Sequence, residues 1–324
     1  MKIVVLDDYQ DAFRTLSCFA RLAGHEVQVF HNTVKEPAAL ATRLGDAEAA
    51  LLIQQRSAVP RAVIEQLPGL KLISQTGRNV SHIDLPTCTE HGIVVSAGGA
   101  GSPNATAELT WGLILAALRH IPQEVERLKA GLWLGSLGTG VMGKTLGIYA
   151  FGRIGSLVAW VGQAFEMRVL CWGREGSMAR AREAGFEVAP SREEFFATAD
   201  VLSLHLPLNA ETHGIVTAQD LARMKPTALL VNTSRAQIIE NGALAAALNK
   251  GQPGSAAVDV YEDEPVLGAR HPLIGMANAL CTPHLGYVER DYYEALLGAA
   301  VDQILAFAAG HPVNVVNPEV LPRP

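Results

Sequence analysis

Strand-like and helix-like stretches alternate along the chain from its first residues. Lys2-Ile-Val-Val-Leu6 is an apolar run of strand length, His25-Glu-Val-Gln-Val-Phe30 alternates, and further runs follow at Ala50-Leu-Leu-Ile53, Leu70-Lys-Leu-Ile73 and Ile93-Val-Val95. Polar helix-like segments separate them, one of them near residues 10–23. This βα alternation predicts a parallel sheet covered on both faces. At 96–103 a loop rich in Gly, Ser and Pro breaks the pattern, and Asn104 can cap the long apolar helix that runs on through Leu118. A domain crossing is expected there. A second series then places strands near 145–150, 167–172, 200–204, 227–232, 255–259 and 279–281, followed by an amphipathic helix near 290–309. Six strands suit a dinucleotide-binding sheet.

The turn after the first strand of that second series carries chemistry. Thr145-Leu-Gly-Ile-Tyr149 leads into Ala150-Phe-Gly152-Arg153-Ile154-Gly155 and then into a helical run, which is G-x-G-x-x-G with Ala in the first place. Gly152 would let the backbone approach a pyrophosphate, Gly155 would allow close helix–strand packing, and the helix N-terminus would offer N–H groups to the anion. The next strand ends at Gly173-Arg174-Glu175, where NAD enzymes usually present a carboxylate to the ribose. Gly173 removes that carboxylate and Arg174 could bind a 2′-phosphate, whereas Glu175 could still reach the ribose of NAD. NAD and NADP both stay open on these residues.

Three further residues stand at or just past predicted strand ends: Arg235, Glu264 and His284. In an open α/β sheet ligands bind at that edge. An arginine can hold a substrate carboxylate, a histidine can move a proton, and a carboxylate can support the imidazolium, which is the set that reversible reduction of a 2-keto acid needs.

Composition narrows the classes. The 324 residues carry 26 Lys+Arg against 32 Asp+Glu, a net charge of −6, with 49% hydrophobic and 18% charged residues and a mean hydropathy of +0.18. That excludes a disordered chain, and with no basic stripe neither nucleic acid nor an anionic membrane is an expected partner. No apolar run approaches the length of a membrane span and the N-terminus lacks the parts of a signal peptide, so a cytoplasmic location is expected. The four cysteines, Cys18, Cys88, Cys171 and Cys281, are scattered and read as reduced thiols. Cys281 and His284 have metal-like spacing but no second pair accompanies them, so no metal site is expected. Trp111, Trp133 and Trp160 read as packing residues, and His120 as a partner for a helix C-terminus.

Taken together, Leu146-Gly-Ile-Tyr-Ala-Phe-Gly-Arg-Ile-Gly155, Leu202-Ser-Leu-His-Leu-Pro-Leu208, Met224-Lys-Pro226, Asn232-Thr-Ser-Arg235, Asp259-Val-Tyr261 with Glu264-Pro265, and Thr282-Pro-His-Leu-Gly286 resemble the D-isomer-specific 2-hydroxyacid dehydrogenases over most of the chain. The resemblance implies two doubly wound parallel-sheet α/β domains with a cleft between them. A flavodoxin-like substrate domain would span 1–100, completed by 287–324, and a Rossmann NAD(P)-binding domain would span 101–286. It implies that Arg235 binds and polarises a 2-oxo acid, that His284 is the acid/base and that Glu264 is its partner. Asp259 would lie near the nicotinamide carboxamide, His205 on the adenosine side, and Pro207 and Thr233 among the cofactor contacts. Gly77-Arg78-Asn79-Val80 would bind the substrate carboxylate through backbone amides, with Arg56 a substrate-side arginine, and the segment from Asn104 through Glu108 would flank the nicotinamide. An isologous homodimer is expected on the same ground, with NAD slightly favoured.

Ala236-Gln237 stand where this family usually has two glycines, and Arg78-Asn79 replace small residues, which points to an unusual substrate. Two other readings accompany the main one. The family includes a corepressor that senses NAD(H) with partner binding as its main output, and it includes formate dehydrogenases, which need no proton delivery to a carbonyl oxygen.

Overall fold

The computed structural model describes residues 1–99 and 101–321; Ala100 and 322–324, which fall in the loop and tail ranges expected above, lie outside the described residues. The chain divides into two units, Met1–Ser102 with Glu289–Pro324, and Pro103–Val288.

In the first unit the strands are β1 (Lys2–Leu6), β2 (Glu26–Val29), β3 (Ala49–Leu52), β4 (Leu72–Thr76) and β5 (Val94–Gly98), and the helices are α1 (Pro37–Leu44), α2 (Arg61–Ile64) and α3 (Leu85–Glu90). The sheet order β2-β1-β3-β4-β5, parallel throughout, is the flavodoxin-like doubly wound arrangement. Strands covered on both faces must be apolar on both, which is why β1 and β3 read as near-continuous hydrophobic runs. Val4, Leu6, Leu52, Ile73 and Val95 pack on Leu40, Leu44, Val63 and Ile64.

The segment expected to be a helix near 10–23 is instead two 3-10 turns, Phe13–Thr15 and Ser17–Leu22, divided by Leu16 in an extended conformation. The donors at their starts are taken by carboxylates from elsewhere. Asp8 accepts from Ala12 and Phe13 N–H, and Glu294 accepts from Ser17 and Cys18 N–H.

The second unit holds α4 (Pro103–Leu118), α5 (Ile121–Lys129), β6 (Thr145–Tyr149), α6 (Arg153–Ala164), β7 (Arg168–Trp172), α7 (Glu175–Glu183), β8 (Glu187–Val188), α8 (Arg192–Thr198), β9 (Val201–Leu204), α9 (Ala218–Leu221), β10 (Leu229–Asn232), α10 (Ala243–Asn249), β11 (Ser255–Val258) and β12 (Ala279–Cys281). Its parallel sheet runs β12-β11-β10-β9-β6-β7-β8. The order reverses between β6 and β9, as in a Rossmann sheet, and the crevice outside that switch point is where such sheets bind ligands.

Two local expectations need correction here. The sheet has a seventh strand, β8, whose two residues are too short to show as an apolar run. Asn104 does not cap α4, because the helix begins at Pro103 and places Asn104 within its first turn; proline at a helix start costs no hydrogen bond, since the first N–H groups lack intrahelical acceptors anyway. The last helix, α11 (Arg290–Ala308), belongs to the first unit.

Candidate active site

Every strand of the second sheet points its C-terminal end the same way, so the loops after β6, β9, β10, β11 and β12 share one edge. At β6 the chain turns sharply. Ala150 adopts φ +77, a left-handed conformation that glycine takes freely and alanine only at a cost of roughly 1–2 kcal/mol. This is the first position of the fingerprint, and the strain shows why glycine is usual there. Gly152 forms the N-cap of α6 with no side-chain cap, and a Cβ added to it would meet nothing within 4 Å. The backbone is bare and approachable, and the first-turn N–H groups of Arg153, Ile154 and Gly155 are oriented as an anion site. Gly155 is the opposite case. A Cβ on it would sit 2.4 Å from the Ala150 carbonyl and 3.1 Å from Ile148, so helix and strand can approach this closely only through glycine. The residues fit a dinucleotide.

Across the switch point, His205 N–H donates to the Tyr149 carbonyl at 3.0 Å. Desolvation of its half-buried ring pushes its pKa down to about 4 and leaves it neutral, and Nε2 has no hydrogen-bond partner among the described residues. Pro207 carbonyl accepts from Thr212 Oγ1, and the Thr233 hydroxyl shares a 2.8 Å hydrogen bond with Thr110 of α4.

The charges just past β7 are neutralised pairwise. Arg174, at the N-cap of α7, pairs with Glu211, and Glu175 pairs with Arg182 at 2.8 Å. A side chain at Gly173 would press on Ser177 Oγ at 3.1 Å, and that oxygen is committed to accepting from Phe151 N–H.

At the ends of β10 to β12 an imidazole and a carboxylate meet. His284 Nδ1 lies 2.6 Å from Glu264 Oε2, and the other carboxylate oxygen accepts from Tyr261 N–H at 2.9 Å. Burial would raise the Glu264 pKa, but the hydrogen bond and charge of His284, the Tyr261 N–H and the nearby Arg235 outweigh it, and the carboxyl is held below its ordinary value. Glu264 therefore stays ionised and orients the imidazole. With Nδ1 engaged, Nε2 is the remaining ring nitrogen of His284. Arg235 follows β10 on a turn tied by Asn232, whose amide donates to the Arg235 carbonyl and whose carbonyl accepts from Ser234 N–H. Its guanidinium donates once, to the Ser234 carbonyl, and forms no ion pair among the described residues.

The chain is similar to known proteins. Residues 111–286 match the family model for the D-isomer specific 2-hydroxyacid dehydrogenase, NAD binding domain. The chain belongs to that family. It is 38% identical to the glyoxylate reductase of Aeropyrum pernix over 80% of both chains, and 35% identical to the D-3-phosphoglycerate dehydrogenase of Methanocaldococcus jannaschii over its full length, spanning 60% of that protein. A solved oxidoreductase structure from Ralstonia solanacearum superposes with a TM-score of 0.95 at 51% identity, covering 99% of this chain and 98% of that one. The protein is thus an NAD-dependent 2-hydroxyacid dehydrogenase, an oxidoreductase of the 2-keto acid/D-2-hydroxy acid pair.

In the first unit of this dehydrogenase, the expected substrate residues lie at the C-terminal edge of its sheet. Arg78 and Asn79 are exposed in the loop after β4; Asn79 accepts from Ser81 N–H, and Val80 packs on the unit's core. Arg56 is held differently, donating to the Asp7 carbonyl and to Tyr293 Oη at 3.1 Å and lying over the Tyr9 ring. Asp7 in turn accepts from Ser57 and Thr33 hydroxyls. That buried network had no signal in the sequence, because its members are far apart and individually ordinary. Asp8, Asp11 and His31 bring possible ligand atoms within 4.8 Å of one another, but the Asp8 carboxylate is already occupied by the two N–H groups named above. Among the described residues no helix is long and apolar enough to cross a membrane.

Proposed function

We propose that Arg235, Glu264 and His284 carry the reaction of this dehydrogenase. The observation behind the assignment is the 2.6 Å bond from His284 Nδ1 to an ionised Glu264, which leaves His284 Nε2 to serve the substrate. In the direction of reduction, the protonated imidazole donates from Nε2 to the oxygen that develops negative charge, and Glu264 stabilises the imidazolium before transfer. Arg235 holds the substrate carboxylate, for which a guanidinium fork is suited. Bound NADH supplies the hydride. In the reverse direction neutral His284 takes the hydroxyl proton.

The turn 150–155, Gly173, His205, Pro207 and Thr233 would line the cofactor. The pairing of Arg174 with Glu211 and of Glu175 with Arg182 leaves neither charge dominant on the ribose side, so selectivity between NADH and NADPH should be modest, with NADH preferred. The amides of the 77–80 loop, together with Arg56, would contribute substrate contacts. A cytoplasmic location and a homodimer complete the reading. For the dimer, the support is the exposed apolar stretch after α5, in which Trp133 is 77% and Leu137 95% exposed; apolar side chains so placed mark an interaction face. Trp111, by contrast, is buried in the core.

A panel of glyoxylate, hydroxypyruvate, pyruvate, phenylpyruvate and bulkier keto acids, each with NADH and with NADPH, tests the reading. Turnover of at least one keto acid supports it. Tight NADH binding with no turnover across the panel, or formate oxidation alone, would overturn it.

A further inference from the structure

The side chain of Asp259 is fully buried just past β11, and its oxygens are committed. Oδ1 accepts from Thr282 Oγ1 at 2.6 Å and from Leu285 N–H at 2.7 Å, and Oδ2 accepts from Gly286 N–H at 2.8 Å. All three donors belong to the short turn that carries His284. The turn is gripped from its other side as well, since Thr106 Oγ1 of α4 donates to the Gly286 carbonyl at 2.8 Å. Gly286 has little room to spare, because a Cβ there would lie 3.3 Å from Asp259 Oδ2 and 3.5 Å from Thr106.

Within this grip His284 adopts φ +53. A non-glycine residue persists in the left-handed region only when its surroundings over-determine it. The donors to Asp259 bracket His284 in sequence, at 282, 285 and 286, so the carboxylate holds the Thr282 hydroxyl before the strained residue and two backbone N–H groups after it. We propose that Asp259 is a positioning residue: it clamps the 282–286 turn, with Thr106 as the second jaw, and so holds His284 in the left-handed conformation that brings Nδ1 onto Glu264. This rests on the assignment of His284 above and adds the device that keeps it in place. Asp259 therefore acts through His284, and a role for it toward the nicotinamide carboxamide is not needed to explain its burial.

Asp259→Asn tests the clamp at constant shape. An amide offers one accepting oxygen and one donating NH2, so in either orientation one side of the turn loses its acceptor and faces a second donor. The expected result is an NADH affinity within about twofold of native and a kcat lower by about 10²-fold, the scale of a 1 Å misplacement of a reacting group. In the unliganded protein, the downfield proton resonance of the His284–Glu264 hydrogen bond should be lost. Thr282→Val, which removes one donor, should lower kcat by about tenfold, and Thr282→Ser, which restores the hydroxyl, should recover it. Native kcat and a native resonance in Asp259→Asn would overturn the proposal. So would a tenfold weaker NADH affinity with native kcat at saturating NADH, which would make Asp259 a cofactor contact. If the Asn variant does not fold, Thr282→Val decides alone, and native kcat and resonance in it overturn the clamp. Should His284→Asn retain native turnover, the acid/base assignment falls, while the resonance in the unliganded protein still decides the clamp.

Discussion

Gly152 and Gly155 stand three residues apart on one turn, and their surroundings predict opposite consequences for the same substitution. For Gly155→Ala the new Cβ would sit 2.4 Å from the Ala150 carbonyl and 3.1 Å from Ile148 Cγ2. An ordinary contact needs about 1 Å more, and the obstacle is backbone that cannot rotate aside. Overpacking of this kind costs about 1–3 kcal/mol, and because Ala150 is already at φ +77 the upper half of that range is expected. For a unit of this size each kcal/mol moves the melting temperature by about 2–4 °C, so Tm should fall by about 4–12 °C. For Gly152→Ala the backbone, at φ −101 and ψ −161, accepts an L side chain and the Cβ meets nothing within 4 Å, so Tm should move by less than about 1 °C. The methyl instead occupies the space through which a pyrophosphate reaches the first-turn N–H groups. Losing one charge-assisted hydrogen bond of about 1.5–3 kcal/mol weakens binding by about 10- to 100-fold. Thermal unfolding without cofactor and fluorescence titration with NADH measure the two effects separately. Native NADH affinity in Gly152→Ala, or an unchanged Tm in Gly155→Ala, would refute the reasoning.

His284→Asn should leave the NADH dissociation constant near native while lowering kcat by about 10²- to 10⁴-fold, the loss expected of a general acid; stopped-flow reduction and equilibrium titration on one preparation check both halves. Arg235→Lys keeps the charge but loses the planar fork, so KM for the keto acid should rise and kcat fall; both staying native would place the substrate carboxylate elsewhere. The Glu264 carboxyl is held below its ordinary value of 4.5, so its contribution to stability is fully present above that value and is lost as pH falls through its lower folded value. Unfolding free energies of the wild type and Glu264→Gln should therefore converge as pH falls below the ordinary value of 4.5, and a gap that widens toward acid pH would contradict the assignment.

Much of the architecture was legible because parallel strands covered on both faces must be apolar throughout. The β1, β6 and β10 runs stand out for that reason alone. Elements held by distant partners were not legible. The turns at Phe13–Thr15 and Ser17–Leu22 depend on Asp8 and Glu294, the latter separated from them by more than half the chain. Likewise the sequence places Glu264 and His284 at one sheet edge, whereas the 2.6 Å bond between them is a property of the fold. Asp259 illustrates the remaining gap. Its place beside a tyrosine and a glutamate marks it as a site residue, but a motif does not say which donors fill a carboxylate, and here they come from the turn bearing the histidine rather than leaving the oxygens open to a ligand.

The path of the chain also has a consequence for the order in which the protein is made. Strand β5 lies at the edge of its sheet, and that edge is closed by residues 314–317: Ser96 pairs antiparallel with Val315, Ala97 N–H donates to the Asn314 carbonyl, and the Asn317 side chain bonds Val95 N–H and the Ile93 carbonyl. Ser74 of β4 likewise waits for Ala300 and Gln303 of α11. A ribosome delivers the first 102 residues long before these partners exist, whereas the second unit, continuous from Pro103 to Val288, emerges whole. The Rossmann sheet can therefore finish folding before residues 290–317 are made, while the flavodoxin-like sheet must keep an unpaired edge strand until they emerge. Such an edge invites pairing with another chain, so this half of the molecule is the one most exposed to misassembly at birth.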